Sequence, residues 1–289
     1  MKNQAIFLLS LFFIATVNYS VKAQTNSKEK VKLTKIWETS PTLTVSESVC
    51  YDSERNILYV SCINGNPVDK DGNGFIAKLD LNGNIIDNKW VTGLNAPKGM
   101  GIYKNSLFVT DIDRVVEIDI ISGRIVKTFP VENAEFLNDI AIGTDGSVYI
   151  SDMATNKIHV IKKDKSQPEI FLDDNTIRGP NGLYIEGEYL LIGTNNGLYR
   201  SRLDNGRLLR IIPVSGGIDG LKPDGNGNYI ISDWKGKVQL VSTNEQPVVL
   251  LNTSEQGINA ADMEYIPSEK ILLIPTFSDN RVVCYKLVK

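Results

Sequence analysis

Short apolar segments recur along the chain at nearly regular intervals and alternate with polar turns. Each of six segments holds three consecutive aliphatic or aromatic residues, and nine to eleven residues before it lies a polar residue that we call the anchor. This pattern predicts strands rather than helices. The segments are Leu58-Tyr59-Val60, Leu107-Phe108-Val109, Val148-Tyr149-Ile150, Leu190-Leu191-Ile192, Tyr229-Ile230-Ile231 and Leu272-Leu273-Ile274. The anchors are Glu47, Lys98, Asn138, Asn181, Asp219 and Asp262.

The spacing of the anchors predicts a repeat architecture. Consecutive anchors are 38 to 51 residues apart, and a strand-only repeat of about 40–45 residues is typical of a four-stranded propeller blade. A third strand follows each apolar segment, as at Lys157–Ile161, and usually a fourth, as at 247–251. We therefore predict an all-β fold: a six-bladed β-propeller with four-stranded blades.

The two ends of the propeller sequence complement each other. Segment 32–37 precedes the first blade, whereas the last blade ends with its third strand near Val283. We predict that the N-terminal strand pairs with the strand containing Val283 and completes the last blade, which removes an open sheet edge.

The first 23 residues have the pattern of a secretory signal peptide. A positive start with Lys2 precedes an apolar run over residues 5–17, and the small residues Val21 and Ala23 suit a cleavage site. The run is too short for a membrane span. We predict cleavage after Ala23, no membrane span, an exported periplasmic or secreted protein, and a single propeller domain over residues 24–289.

Composition narrows the possible chemistry. With 31 basic and 34 acidic residues and a net charge of −3, the chain is not expected to bind nucleic acid. Its one histidine, His159, lies within a predicted strand and does not support a histidine-rich metal site or a catalytic triad. The three cysteines allow at most one disulfide, and we predict buried free thiols. Carboxylates and amides are therefore the groups available for chemistry.

The six anchors are expected to surround one mouth of the central channel, because equivalent positions of all blades lie on the same face. All of them except Lys98 bear hard oxygen atoms of the kind that bind Ca²⁺ or Mg²⁺. The alternative is that polar residues satisfy backbone groups at a wet channel entrance. The ring alone leaves both interpretations open.

Several short motifs at the anchors carry a family resemblance. Glu47 opens the first blade, Asn138-Asp139 the third, Pro180-Asn181-Gly182-Leu183 the fourth and Asp219-Gly220 the fifth. In blade order they resemble the divalent-metal ligands of the senescence marker protein (regucalcin)/gluconolactonase family of six-bladed propellers. The resemblance implies a lactonase with a bound divalent metal, Ca²⁺ above all, held by Glu47, Asn138, Asn181 and Asp219, with Asp219 as proton acceptor.

The sequence departs from that family at two places. Ser48-Val49 follows Glu47, where the family has Gly-Pro and an aromatic residue, and Phe136 replaces an arginine that would bind sugar hydroxyls. These departures favour a more apolar small-molecule substrate than a sugar lactone. Segments 138–161 and 219–241 also resemble NHL repeats, whose propellers are commonly noncatalytic binding platforms. The second hypothesis is accordingly a noncatalytic propeller that binds a small molecule or a cell-surface partner.

Other side chains near the predicted mouth are candidates for substrate binding: Lys98, Phe136, Trp234 and Asp262. Lys98 would attract an anionic ligand or offset the acidic ring, and Trp234 would stack on a ligand or pack between blades. The aspartates that end second strands, Asp111, Asp152 and Asp233, recur at equivalent positions, which predicts a structural role in turns.

The first repeat contains an insertion, residues 63–74. Its motif Asp69-x-Asp71-x-Asn73-Gly74 with Asp80 has the spacing of an EF-hand loop. Residues 75–79 read as a strand, however, so we predict a polar turn. The insertion would either act as a lid over the channel or extend into solvent away from it.

Overall fold

The fold is a six-bladed β-propeller, as predicted. The computed structural model describes residues 31–214 and 216–288. These residues form twenty-four strands in six antiparallel four-stranded sheets, and within them the only helical element is one turn of 3-10 helix, Ser254–Gln256. The predicted signal peptide lies outside the described residues.

The blades follow one another along the chain. Blade one holds β2 (Ser46–Asp52), β3 (Ile57–Cys62), β4 (Gly74–Leu79) and β5 (Ile85–Leu94). Blade two holds β6 (Pro97–Tyr103), β7 (Ser106–Asp111), β8 (Arg114–Asp119) and β9 (Arg124–Pro130). Blade three holds β10 (Leu137–Ile142), β11 (Val148–Asp152), β12 (Lys157–Ile161) and β13 (Glu169–Asp173). Blade four holds β14 (Leu183–Glu186), β15 (Tyr189–Thr194), β16 (Gly197–Arg202) and β17 (Leu208–Ile212). Blade five holds β18 (Leu221–Pro223), β19 (Tyr229–Asp233), β20 (Lys237–Val241) and β21 (Val248–Asn252). Blade six holds β22 (Glu264–Ile266), β23 (Ile271–Pro275), β24 (Val282–Val288) and β1 (Lys32–Glu38).

The first strand of each blade is the innermost. The strands β2, β6, β10, β14 and β18 contact one another in sequence, and β22 contacts β2. The predicted apolar segments form the second strands, and their side chains are buried. Alternate residues of these strands face the two neighbouring blades. Tyr59 belongs to the same buried cluster as Met100 of blade two, whereas Leu58 and Val60 belong to the cluster that holds Leu273 of blade six. The core is thus a set of apolar layers between blades.

The N-terminal strand closes the last blade, which confirms the prediction. Strand β1 pairs antiparallel with β24, from Lys32 opposite Val288 to Glu38 opposite Val283. Trp37 extends from this strand to blade one, where its indole Nε1 donates a hydrogen bond to the Leu81 carbonyl at 3.1 Å. Its ring also lies where a Cβ on Gly83 would come within 2.5 Å, so glycine is required there. One side chain therefore links the closing strand to the first blade.

Replacing Trp37 with alanine is expected to lower the free energy of unfolding by about 2–3 kcal/mol, because a half-buried indole loses its packing and its hydrogen bond. The neighbouring Ile36 is 52% exposed, so Ile36→Ala should change it by less than about 0.5 kcal/mol. Denaturant unfolding of the two variants makes the comparison. Equal stabilities would contradict a role for Trp37 in closure.

The three cysteines are free and buried, as predicted. Cys50 lies opposite Tyr59 and Cys62 opposite Ser46, so these two thiols are not cross-strand partners. No helix among residues 31–214 and 216–288 combines the length and apolar character needed to cross a bilayer.

Candidate functional site

Five of the six anchors surround one cavity of about 340 Å³ at the mouth of the channel. Each anchor lies at the start of an innermost strand, as its second residue or two residues before it. The sixth anchor, Asp262, does not line the cavity; its Oδ2 accepts a hydrogen bond from Ser48 Oγ at 2.6 Å. The residues that line the cavity are Glu47, Ile63, Pro67, Lys98, Phe136, Asn138, Met153, Asn181, Asn195, Gly216, Gly217, Ile218, Asp219, Trp234 and Phe277.

The residue after three of the anchors, Lys98, Asn138 and Asn181, sets how closely neighbouring blades approach. A Cβ on Gly182 would lie 2.3 Å from the Asp219 carbonyl oxygen, and one on Gly99 would lie 2.6 Å from the Asn138 carbonyl oxygen. After Asn138 stands Asp139, whose Oδ2 accepts the Leu183 N–H of the next blade at 2.6 Å. The glycine or aspartate after an anchor therefore brings anchors of adjacent blades together.

Three oxygen atoms of the predicted metal ligands have no hydrogen-bond partner. Glu47 Oε2, Asn138 Oδ1 and Asn181 Oδ1 are buried and unpaired, whereas Asn181 Nδ2 donates to Asp219 Oδ1 at 2.8 Å. Buried polar atoms are normally satisfied, so orphaned oxygens at one site indicate a missing partner. No three His, Cys, Asp or Glu side chains of the described residues form a metal-binding group. The four predicted ligands instead combine two carboxylates with two amides, which suits a hard cation such as Ca²⁺.

Burial and mutual repulsion dominate the electrostatics of these carboxyl groups. Burial, with nearby Asp219 and Asp262, raises the pKa of Glu47 well above its usual value. Burial, followed by the charge of Asp262, raises the pKa of Asp219 to about 8. Burial also raises the pKa of Asp262 to about 6, although Lys222 opposes the shift. The site therefore has an excess of negative charge that protons or a cation can neutralise.

These pKa values predict how the stability of chelator-treated protein depends on pH. A carboxyl group with a raised pKa in the folded state stabilises the fold below its unfolded pKa, and this contribution is lost as the pH rises through the folded pKa. We expect the free energy of unfolding to fall between pH 5 and pH 8, because the unfolded chain has lost the protons of Asp262 and Asp219 there, whereas the folded protein keeps them up to the raised pKa values of about 6 and about 8. The lowered pKa of Lys98, about 8, acts in the opposite direction only above that pH.

Denaturant titrations across this pH range test the prediction. The double variant Asp219→Asn/Asp262→Asn serves as the comparison, because its profile should be flatter than that of the wild type. Parallel profiles for the two proteins would contradict the assignment of the pH dependence to these carboxyl groups.

Lys98 brings a buried positive charge to the cavity. The side chain is 1% exposed, and its Nζ donates to the carbonyl oxygens of Ala96 at 3.0 Å and Pro67 at 3.1 Å. The ammonium also lies 4.5 Å from the centre of the Phe136 ring. Burial lowers the pKa of Lys98 to about 8, and Glu47 partly offsets the shift. The structure thus places Lys98 between an aromatic face and the acidic ring.

The other cavity-lining residues are mainly apolar, and most were not predicted. Trp234 was predicted; it is 46% exposed and meets Phe277 edge to face at 5.4 Å between ring centres. Most of these residues share one position in the repeat. The position just after a second strand lines the cavity in five of the six blades, and this shared position could have identified them from the sequence. The five are Ile63, Met153, Asn195, Trp234 and Phe277, the last lying two residues beyond its strand.

The repeated aspartates have structural roles, as predicted. Asp111 accepts hydrogen bonds from the N–H groups of Asn95 and Ala96, and Asp152 accepts them from Glu135 and Phe136. In both blades the carboxylate fixes the loop that enters the innermost strand. His159 is buried in β12 with its Nε2 3.8 Å from Asp152 Oδ2, and it does not line the cavity.

The insertion 63–74 forms part of the cavity wall through Ile63 and Pro67. Besides the Lys98 contact, Lys70 Nζ pairs with Asp113 Oδ2 at 2.6 Å, and the Gly72 N–H donates to Asn95 Oδ1 at 3.2 Å. These contacts describe a wall tied to blade two rather than a segment extending into solvent. As predicted, residues 69–80 do not form an EF-hand. Strand β4 lies between the turn at residues 69–73 and Asp80, and Asp80 accepts hydrogen bonds within its own turn.

Comparisons with known proteins place the fold but not the family. No model of a protein family matches the chain, and no curated protein matches it. A gluconolactonase from Xanthomonas campestris is similar with a TM-score of 0.64 and 15% identity, covering 85% of this chain and 86% of that one. A catalytically inactive histidine-to-alanine variant of virginiamycin B lyase from Staphylococcus aureus, with quinupristin, is similar with a TM-score of 0.61 and 14% identity. The match covers 90% of this chain and 99% of that one. A chain of a nidogen/laminin complex is similar with a TM-score of 0.61 and 15% identity, and the match covers 74% of this chain and 86% of that one. At these identities the likeness shows a shared six-bladed propeller fold.

Proposed function

We propose that this protein is a metal-dependent hydrolase of a lactone or a related small ester, with its active site at the channel mouth. The observation that carries the proposal is the convergence of three orphaned buried oxygens, from Glu47, Asn138 and Asn181, beside the Asp219 carboxylate. Four different blades supply these groups. Such a donor set, with room for a small molecule in the same cavity, fits Ca²⁺ with positions open for water and substrate.

The protein residues have distinct roles in this reaction. A divalent cation held by Glu47, Asn138, Asn181 and Asp219 would polarise the carbonyl group of the substrate as a Lewis acid. Asp219 accepts a proton from the water that attacks the carbonyl carbon, which requires its ionised form. The bond between the carbonyl carbon and the ester oxygen then breaks, and the departing alkoxide takes up the proton that Asp219 accepted. A lactone gives a hydroxy acid, and an ester gives an acid and an alcohol. The ammonium of Lys98 attracts the negative charge that develops during the attack.

A hydrolase accounts for the residues in the cavity better than the chemistry of the similar lyase. The Staphylococcus aureus lyase is catalytically inactive when a histidine is replaced by alanine. The one histidine of this chain, His159, is buried in blade three and does not line the cavity. Two carboxyl groups, Glu47 and Asp219, and Lys98 are instead the ionisable groups that line the cavity.

The second candidate function is ligand binding without catalysis, by a propeller that recognises a small molecule or a cell-surface partner. The NHL-like repeats and the similarity to a chain of the nidogen/laminin complex favour it. The predicted signal peptide suits either function, because it would place the site outside the cytoplasm.

Hydrolysis of a panel of lactones and esters by the mature protein tests the proposal. We expect turnover of at least one substrate that is lost with chelator and restored by Ca²⁺. Tight binding of the same compounds without any turnover, in the presence of Ca²⁺, would favour the binding function.

A further inference from the structure

The cavity has two chemically different sides. The anchors form a polar floor, whereas the residues after the second strands and the neighbouring loops form an apolar wall. Trp234 and Phe277 meet edge to face on this wall, and Met153 and Ile218 extend it. Asn195 is the one polar side chain among the wall residues of the described chain. A ligand that reaches the floor must therefore place part of its surface against aromatic and aliphatic groups.

Lys98 and Phe136 contact each other and together determine the charge and polarity of one part of the cavity. The Lys98 ammonium already uses two of its three hydrogens on backbone carbonyls, and it faces the Phe136 ring at 4.5 Å. An arginine at position 136 would bring a second cation next to this buried charge, and the two would repel each other. With phenylalanine there, this part of the cavity holds an apolar ring beside a single positive charge, and it lacks the several N–H donors of a guanidinium group.

This arrangement disfavours a ligand with many hydroxyl groups. Hydroxyl groups that leave water need new hydrogen-bond partners, and an apolar wall supplies almost none. An aromatic ring has the opposite requirements: it fills an apolar cavity, loses little conformational freedom, and makes edge-to-face contacts with Trp and Phe. Because Trp234 is nearly half exposed at the mouth, covering it with a ring also removes apolar surface from water.

We infer that the substrate carries an aromatic ring or an apolar ring of similar size beside its lactone or ester group, and that Phe136, Trp234 and Phe277 receive this ring. The inference rests on the proposed function for the reactive group, but the wall and the Lys98–Phe136 pair carry it independently of catalysis. In this arrangement the carbonyl group lies toward the floor of anchors and the ring toward the mouth.

Two measurements test the inference, one without catalysis. In the first, calorimetry compares binding of 3-phenylpropanoate, a mimic of an aryl-substituted product, with binding of gluconate in the presence of Ca²⁺. In the second, hydrolysis of γ-phenyl-γ-butyrolactone is compared with that of erythronolactone, a lactone of the same ring size that carries hydroxyl groups. The wild-type protein should prefer the aromatic compound at least about tenfold in both measurements.

Two variants and one control locate the effect. Phe136→Arg and Trp234→Ser should each weaken binding of 3-phenylpropanoate at least about fivefold, and Phe136→Arg should narrow the preference over gluconate. Ile121→Ser, at an apolar residue that is 71% exposed and does not line the cavity, should leave both measurements unchanged. Thermal unfolding of each variant confirms that it is folded.

The possible outcomes separate the inference from the proposed function. Specific binding of 3-phenylpropanoate without hydrolysis of any lactone supports the ligand class and contradicts the hydrolase. Hydrolysis of erythronolactone that equals or exceeds that of the phenyl lactone overturns the ligand class and leaves the hydrolase intact. Equal effects of Ile121→Ser and Trp234→Ser would also overturn the inference.

Discussion

Asp219→Asn is expected to keep measurable Ca²⁺ binding and to lower kcat about 10²- to 10⁴-fold, the usual contribution of a general base. An amide oxygen coordinates a cation but cannot accept a proton from water. The substitution preserves the size of the side chain and leaves an oxygen to accept the hydrogen bond from Asn181 Nδ2. Calorimetry for Ca²⁺ and steady-state hydrolysis of the best substrate measure the two effects separately.

A matched control comes from the same blade. Asp224→Asn removes a carboxylate from the turn between β18 and β19, where it accepts hydrogen bonds from Asn226 and Asn228 and does not line the cavity. Its turnover should stay within about threefold of the wild type. A kcat for Asp219→Asn within about tenfold of the wild type would contradict its role as proton acceptor. Complete loss of Ca²⁺ binding would instead assign Asp219 a role as ligand alone.

Glu47→Gln is expected to weaken Ca²⁺ binding at least about 100-fold, because it removes one of the two negative charges among the four ligands. The same change should also stabilise the chelator-treated protein at high pH, since burial and the charges of Asp219 and Asp262 disfavour an ionised Glu47 and raise its pKa. Weaker Ca²⁺ binding together with a more stable metal-free fold would show that the Glu47 carboxylate serves the cation and not the fold.

Calorimetry and thermal unfolding with and without Ca²⁺ measure both effects. Glu255→Gln, an exposed position in the 3-10 turn, is the control and should change neither quantity. A Glu47→Gln protein that binds Ca²⁺ as the wild type does, or that is destabilised without metal, would show that Glu47 serves the fold.

The fold could be predicted from the sequence because the apolar segments, their spacing and the N-terminal segment all indicate the same six-bladed propeller. Apolar triplets become second strands, and their period fixes the number of blades. The unpaired N-terminal segment could pair only with the strand at the end of the chain. Repetition also identified the structural aspartates: a residue such as Asp152 that recurs in several blades at one position is part of the blade design.

The sequence predicted the floor of the site better than its wall. Anchors such as Asn138 and Asp219 belong to short motifs at the starts of strands, so their convergence followed from propeller geometry. Phe277 and Met153 look like ordinary core residues in the sequence, and only their shared position after the second strands distinguishes them. Asp262 does not line the cavity and accepts a hydrogen bond from Ser48; its predicted role in substrate binding stays a prediction.

The contacts of the insertion 63–74 could not be predicted from the sequence. Its length and composition are those of a surface loop, which left a lid and a solvent-exposed excursion equally open. The contacts of Pro67 with Lys98 and of Lys70 with Asp113 tie it to blade two. Neither pairing has a signature in local sequence, because each joins a loop to a residue at least 31 positions away.

Calorimetric titration of Ca²⁺ into the chelator-treated mature protein at pH 8 tests directly whether the channel mouth binds a cation. We expect one bound Ca²⁺ per chain, together with a rise in the unfolding temperature, because the cation binds only the folded arrangement of the four ligands. Repeating the titration at pH 6 should show weaker binding with release of protons, since carboxyl groups of raised pKa must ionise to bind the cation. Absence of binding at millimolar Ca²⁺, with an unchanged unfolding temperature, would contradict a Ca²⁺ site at the channel mouth.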